Sequence, residues 1–121
     1  MKNESTKHEA KSSQWFSTEI YFGRHFSNRG EITDQQFAEF LAYHVTPAFP
    51  AGMTVYDAYG QMQHSNGEIV KQKTKVVVLV HKNSKVDDDA INRITTAYRS
   101  KFGNPQVMLL TTQVKPVFYA D

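Results

Sequence analysis

The stretch Met53-Thr-Val-Tyr-Asp-Ala-Tyr-Gly-Gln61, followed by Ser65-Asn-Gly67 and by a run ending in Lys75-Val-Val-Val-Leu-Val80, decides the fold. Two strand-like runs around Asn-Gly are the strongest short-range signal for a β-hairpin. Loop length then fixes which side chains share a face. A two-residue loop sets Asp57 level with Val76 and mixes it into the valines. A three-residue loop, Ser65 to Gly67 with Gly67 left-handed, sets Asp57 level with Lys75 and gives one clean apolar face. It gathers Tyr56, Ala58, Met62, Val76, Val78 and Val80, and the three-residue loop is preferred for that reason. Asp57, Tyr59, Gln61, Lys73 and Lys75 then lie on the opposite face with Val55, Val77 and Leu79.

Working outward, Trp15 to Phe22 alternates as a strand does, with Phe16, Ile20 and Phe22 facing one way and Glu19 and Tyr21 the other. Thr33 and Gln36 form a capping box, and Phe37, Phe40, Leu41, His44 and Val45 recur at helical spacing. The spacing predicts a helix from Asp34 to Val45, ended by Pro47 and Pro50. A second helix opens on Asp87 to Asp89, carries its stripe on Ile91, Ile94, Tyr98 and Phe102, and stops at Gly103 and Pro105. A last strand runs from Gln106 to Tyr119, with Pro116 marking an edge or bend.

The order strand, helix, strand, strand, helix, strand is that of a ferredoxin-like βαββαβ α+β domain. Four antiparallel strands carry two helices on one face. The other face, holding Val55, Val77 and Leu79 among polar groups, is too apolar to be solvated, and the simplest closure is a face-to-face homodimer.

The 121 residues have room for one domain, over residues 14–121, behind a polar tail at 1–13 expected to be disordered. With no cysteine, disulfides and thiolate-built metal centres are excluded. A net charge of +2, with both signs mixed along the chain, argues against a nucleic-acid partner. No apolar run approaches the roughly 20 residues that span a bilayer, and Met1 to Ser13 lacks a hydrophobic block. The expectation is a cytoplasmic protein with no membrane partner.

The segments Glu19-Ile-Tyr-Phe-Gly-Arg24, Val45-Thr-Pro-Ala-Phe-Pro-Ala-Gly-Met-Thr-Val55 and Asp57-Ala-Tyr-Gly-Gln61 resemble a bacterial family, domain of unknown function 3574. Lys75 with its valines, Ala97-Tyr98 and Phe102 are similar to it as well, so the resemblance runs from about Glu19 to Leu110. The family commonly has tryptophan where Phe37 stands. Some members look like secreted lipoproteins, a feature that the start of this sequence does not share. The resemblance implies one undivided domain and brings no particular activity with it.

Glu19, Tyr21, Asp57, Tyr59, Gln61 and Lys75 are all expected on the uncovered face. Glu19, Asp57 and Lys75 are the candidate catalytic groups, because burial beside one another would shift their protonation. The plain alternative is a cross-strand ion pair that fixes register. Tyr21, Arg24, Tyr59 and Gln61 are the candidate ligand-binding residues. Arg24 either grips a ligand carboxylate or phosphate, or caps a loop carbonyl and pairs with Glu31 or Asp34. The five histidines show no paired spacing, so no metal is expected. Thr46 to Gly52 reads as a rigid turn with Phe49 plugging the core, and Gly60 as a bulge or a point of close approach. No phosphate loop, dinucleotide fingerprint or nucleophile elbow is present. The reading is a small-ligand-binding domain, with enzyme activity left open. A cofactor-independent proton transfer or isomerisation would suit these groups. The rival is a non-catalytic protein-interaction or regulatory module using the same face or an edge strand.

Overall fold

The computed structural model describes residues 6–9, 14–26 and 30–120. Its strands are β1 (Thr6–Glu9), β2 (Trp15–Gly23), β3 (His25–Phe26), β4 (Gly30–Glu31), β5 (Thr54–Gln63), β6 (Ile69–Lys82), β7 (Val107–Val114) and β8 (Val117–Ala120). Helix α1 (Asp34–Phe40) runs on into a π-helical turn, Leu41–Val45, and α2 spans Lys85–Lys101.

β5, β6, β2 and β7 form one antiparallel sheet in that order. With α1 between β2 and β5, and α2 between β6 and β7, this is an α+β fold of βαββαβ order. The hairpin has the expected register. Asp57 stands opposite Lys75 and Gln63 opposite Ile69, while Gly67, at φ +90°, closes the loop by donating its N–H to the His64 carbonyl.

Both helices begin where side chains can take up free backbone N–H groups. Thr33 accepts from the Gln36 N–H while the Gln36 side chain accepts from that of Thr33. Ser84 caps α2 by accepting from Asp87 N–H. The helices bury Phe37, Phe40, Val45, Ala90, Ile91, Ile94 and Tyr98 against Ile20, Phe22, Val77 and Leu79 of the sheet. Phe22 is central, with the Tyr98 ring 4.5 Å and the Phe37 ring 5.5 Å from its own. Phe49 completes the core as expected. His44 is exposed and stacks on Phe40 instead of joining the core.

One expectation is inverted. Phe22 stands opposite Lys75 and Ile20 opposite Val77, so Lys75, Val77 and Leu79 share the helix-covered face with Phe16, Ile20 and Phe22. The uncovered face is the one that carries Tyr56, Ala58, Met62, Val76, Val78 and Val80. The hairpin pairing was legible, but the parity between β2 and β6 depends on contacts more than fifty residues apart, and a one-residue difference there swaps the faces.

Two further differences lie at the termini of the fold. The expected last strand is divided at Lys115-Pro116 into β7 and β8. Within Met1–Ser13, read from composition as a disordered tail, Thr6–Glu9 pairs antiparallel with Val117–Ala120. Ladder hydrogen bonds come from backbone groups and need no apolar side chains. The rest of that stretch lies outside the described residues. No described helix is long and apolar enough to cross a membrane.

Candidate functional site

The expected polar constellation separates into two groups on opposite faces. Arg24, Asp57 and Lys75 gather at the rim of the helix-covered face, and Asp34 joins them. Glu19 and Tyr21 stand on the uncovered face.

The rim group is an ion cluster built on two shielded cations. Arg24 leaves the end of β2, is 7% exposed, and donates twice to the Ile32 carbonyl, from Nε at 3.0 Å and Nη2 at 2.8 Å. Its Nη2 also reaches Asp34 Oδ1 at 2.9 Å, and its Nη1 lies 3.6 Å from Asp57. Lys75 holds its Nζ 5.9 Å from the centre of the Phe37 ring and reaches Asp57 at 2.7 Å and Asp34 at 3.0 Å. The Asp57 hydrogen bond holds the Lys75 ammonium above its usual range, against the opposing effect of burial, with Asp34 adding to the rise. Lys75, through its hydrogen bond and its charge, holds the Asp34 carboxyl below the usual range, and Arg24 adds to this.

Every cation here has a carboxylate or carbonyl partner. The cluster ties the start of α1 to β2 and to the hairpin, which is the loop-capping role open to Arg24 in the sequence. Behind it the Tyr98 hydroxyl donates to the Gly23 carbonyl at 2.7 Å. Burial pushes that phenol above its ordinary value, although the Arg24 charge opposes the shift.

The uncovered face holds a different kind of site. Tyr21, Gly60, Met62, Gln72, Thr74 and Met108 line a cavity of about 340 Å³ in the curve of the sheet. Tyr59 and Gln61 also border it, but their alternation aims their side chains toward the other face. Gly60 makes the room: a Cβ there would meet nothing within 4 Å. Tyr21 donates its hydroxyl to Glu19 Oε1 at 2.8 Å. That hydrogen bond, with burial and the Glu19 charge adding to it, pushes the phenol up to about 12. Tyr21 is therefore a standing proton donor beside a carboxylate acceptor, at the wall of an apolar cavity.

Sequence reasoning found Tyr21, Glu19 and Gly60 but missed Gln72, Thr74 and Met108. Nothing local marks these three, since each reaches the cavity only through the pairing of its strand. Asp34 is one of the two partners the sequence offers Arg24, whereas its second contact, with Lys75, needs the tertiary fold.

The sequence profile of the family described as "Protein of unknown function (DUF3574)" matches residues 17–118. No curated protein matches the chain in sequence. Among solved structures the chain is similar to a phage SAM lyase in complex with S-methyl-5'-thioadenosine, with a TM-score of 0.64 at 14% identity over 92% of each chain. It is also similar to CutA from Synechococcus elongatus complexed with a Bis-Tris molecule, with a TM-score of 0.55 at 6% identity over 90% of this chain and 86% of that one. At such identities the likeness is one of fold.

Proposed function

We propose, for a chain that belongs to the DUF3574 family of proteins of unknown function, that it binds a small ligand on the helix-free face of its sheet and works as a homodimer closed over that face. The carrying observation is the cavity at Gly60, open on one side and walled by Tyr21, Met62 and Met108. Its largely apolar lining with a few polar groups is the usual make-up of a small-molecule site. The surrounding face supports the dimer, because Met62, Val80, Met108 and Leu110 are each about half exposed there.

A ligand combining a flat ring with a soft, apolar arm suits tyrosine and methionine walls. The S-methyl-5'-thioadenosine held by a protein of similar fold has that chemistry and makes a fitting first probe. Tyr21 and Glu19 are the proton-handling pair, and proton transfer or isomerisation is the reaction class they suit. Asp57 and Lys75, placed in the sequence reading among the catalytic groups, instead position α1 against the hairpin.

The test is calorimetric titration and thermal shift with S-methyl-5'-thioadenosine and a metabolite panel, on the wild type and on Gly60→Val. Valine favours a strand, and a Cβ at this position meets nothing within 4 Å, so the branched side chain takes up cavity space without a clash at its base. The expected result is a saturable stabiliser of the wild type, with binding lost in a Gly60→Val protein that melts no lower. A panel without a stabiliser, or undiminished binding by Gly60→Val, overturns the ligand reading and favours the rival, a non-catalytic interaction module.

A further inference from the structure

A second cavity, of about 350 Å³, lies on the helix side, where α2 leaves the edge strand β7 partly uncovered. Its floor is a chain of hydrogen bonds that the open-face site does not use. Thr18 and His81 are 1% and 5% exposed. Thr18 Oγ1 lies 2.7 Å from His81 Nε2 and 3.1 Å from Thr111 Oγ1.

The direction of this chain follows from its far end. His81 Nδ1 is 2.9 Å from the Lys82 carbonyl oxygen, which can only accept. In the neutral ring the proton therefore sits on Nδ1, and Nε2 is an acceptor. Thr18 donates to Nε2, so its oxygen receives the Thr111 hydroxyl. Thr111 is left offering only lone pairs. Thr95 likewise spends its proton on the Ile91 carbonyl at 3.1 Å.

At the rim stands the Asp88 carboxylate of α2. Among the described residues no cation lies within ion-pair distance of it, and no lysine or arginine lines the cavity. Thr18 and the Lys82 carbonyl together satisfy the buried histidine without any help from Thr111. Asp88 suits the positive end of α2, yet it and Thr111 still present unused acceptors to the cavity.

The geometry points to a binding site for a small organic ammonium, its donors taken by Thr111, Thr95 and Asp88 and its carbon chain lying on Ile91 and Leu109. Hydroxyls that have used their protons, together with one carboxylate, accept hydrogen bonds and complement a cation. The start of α2 contributes about half a positive charge, which Asp87 and Asp88 together outweigh. The net charge of +2 gives the whole molecule no general attraction for cations, so affinity would have to be local.

The test uses 1,4-diaminobutane, with butane-1,4-diol as its uncharged counterpart, titrated into the full chain and followed by amide NMR. Saturable shifts are expected at Asp88, Asn92 and Thr111, with the diol silent. Affinity should weaken at least tenfold in Asp88→Asn and in Thr111→Val, both exposed positions whose replacement leaves the core intact. Gly60→Val, on the opposite face, should titrate as the wild type does, which separates this site from the open-face one. Shifts scattered over all surface carboxylates, equal binding of the diol, or unchanged affinity in Asp88→Asn would each overturn the inference.

Discussion

Lys75 keeps its ammonium beside the Phe37 ring and between two carboxylates, so the charges of this cluster are tied to the fold at both ends of the pH scale. Asp34 has a folded pKa below its ordinary value of 3.8, so its contribution is present above that value and is lost as pH falls through the depressed one. Lys75 has a folded pKa above its ordinary 10.5, so its contribution is complete below that value and is lost as pH rises through the raised one. The urea midpoint should therefore hold steady near neutrality and decline at both extremes. Asp34→Asn should flatten the acid limb, and Lys75→Met the alkaline limb. Because the carboxylates face solvent, Lys75→Met should cost only about 1 kcal/mol at pH 7. The Asp57–Lys75 pair was legible because hairpin register is local. Its position beside Phe37 was not, because nothing in the hairpin says which of its faces meets the helices.

The capping box of α1 is an element whose sequence and structure coincide. Thr33→Ala removes the acceptor for Gln36 N–H and should lower the unfolding free energy by about 1 kcal/mol, read by urea titration. Gly23 is held by a different constraint, where β2 approaches the chain leading into β7. A Cβ there would sit 2.9 Å from the Gln106 backbone oxygen, the same atom that accepts Gly23 N–H at 2.8 Å. Gly23→Ala should therefore cost more than Thr33→Ala, since backbone must shift and a ladder bond must lengthen. The first effect reads directly from four consecutive residues. The second belongs to two segments that meet only in the folded sheet. The π-helical end of α1 also escaped the periodicity, because Val45 reaches the core in either geometry.

At the scale of the molecule, the uncovered face sets the expected assembly. Light scattering at micromolar concentration should report twice the chain mass of 13.8 kDa, and Met108→Glu combined with Leu110→Lys should return it to the monomer. Both residues are half exposed on that face and outside the core, so the double variant should keep its fold. The sequence by itself determined the element order, the cap of α1, the hairpin register and the presence of one apolar face too many for two helices to cover. Each of these rests on neighbours within a turn or a hairpin, where spacing and residue type act directly. Only the tertiary structure decided that Lys75, Val77 and Leu79 lie beneath the helices, that Glu19 and Tyr21 stand apart from Asp57, and that Gly60 opens onto a cavity. These depend on the parity with which β2 pairs β6 and β7, a choice made by the packing of the whole core.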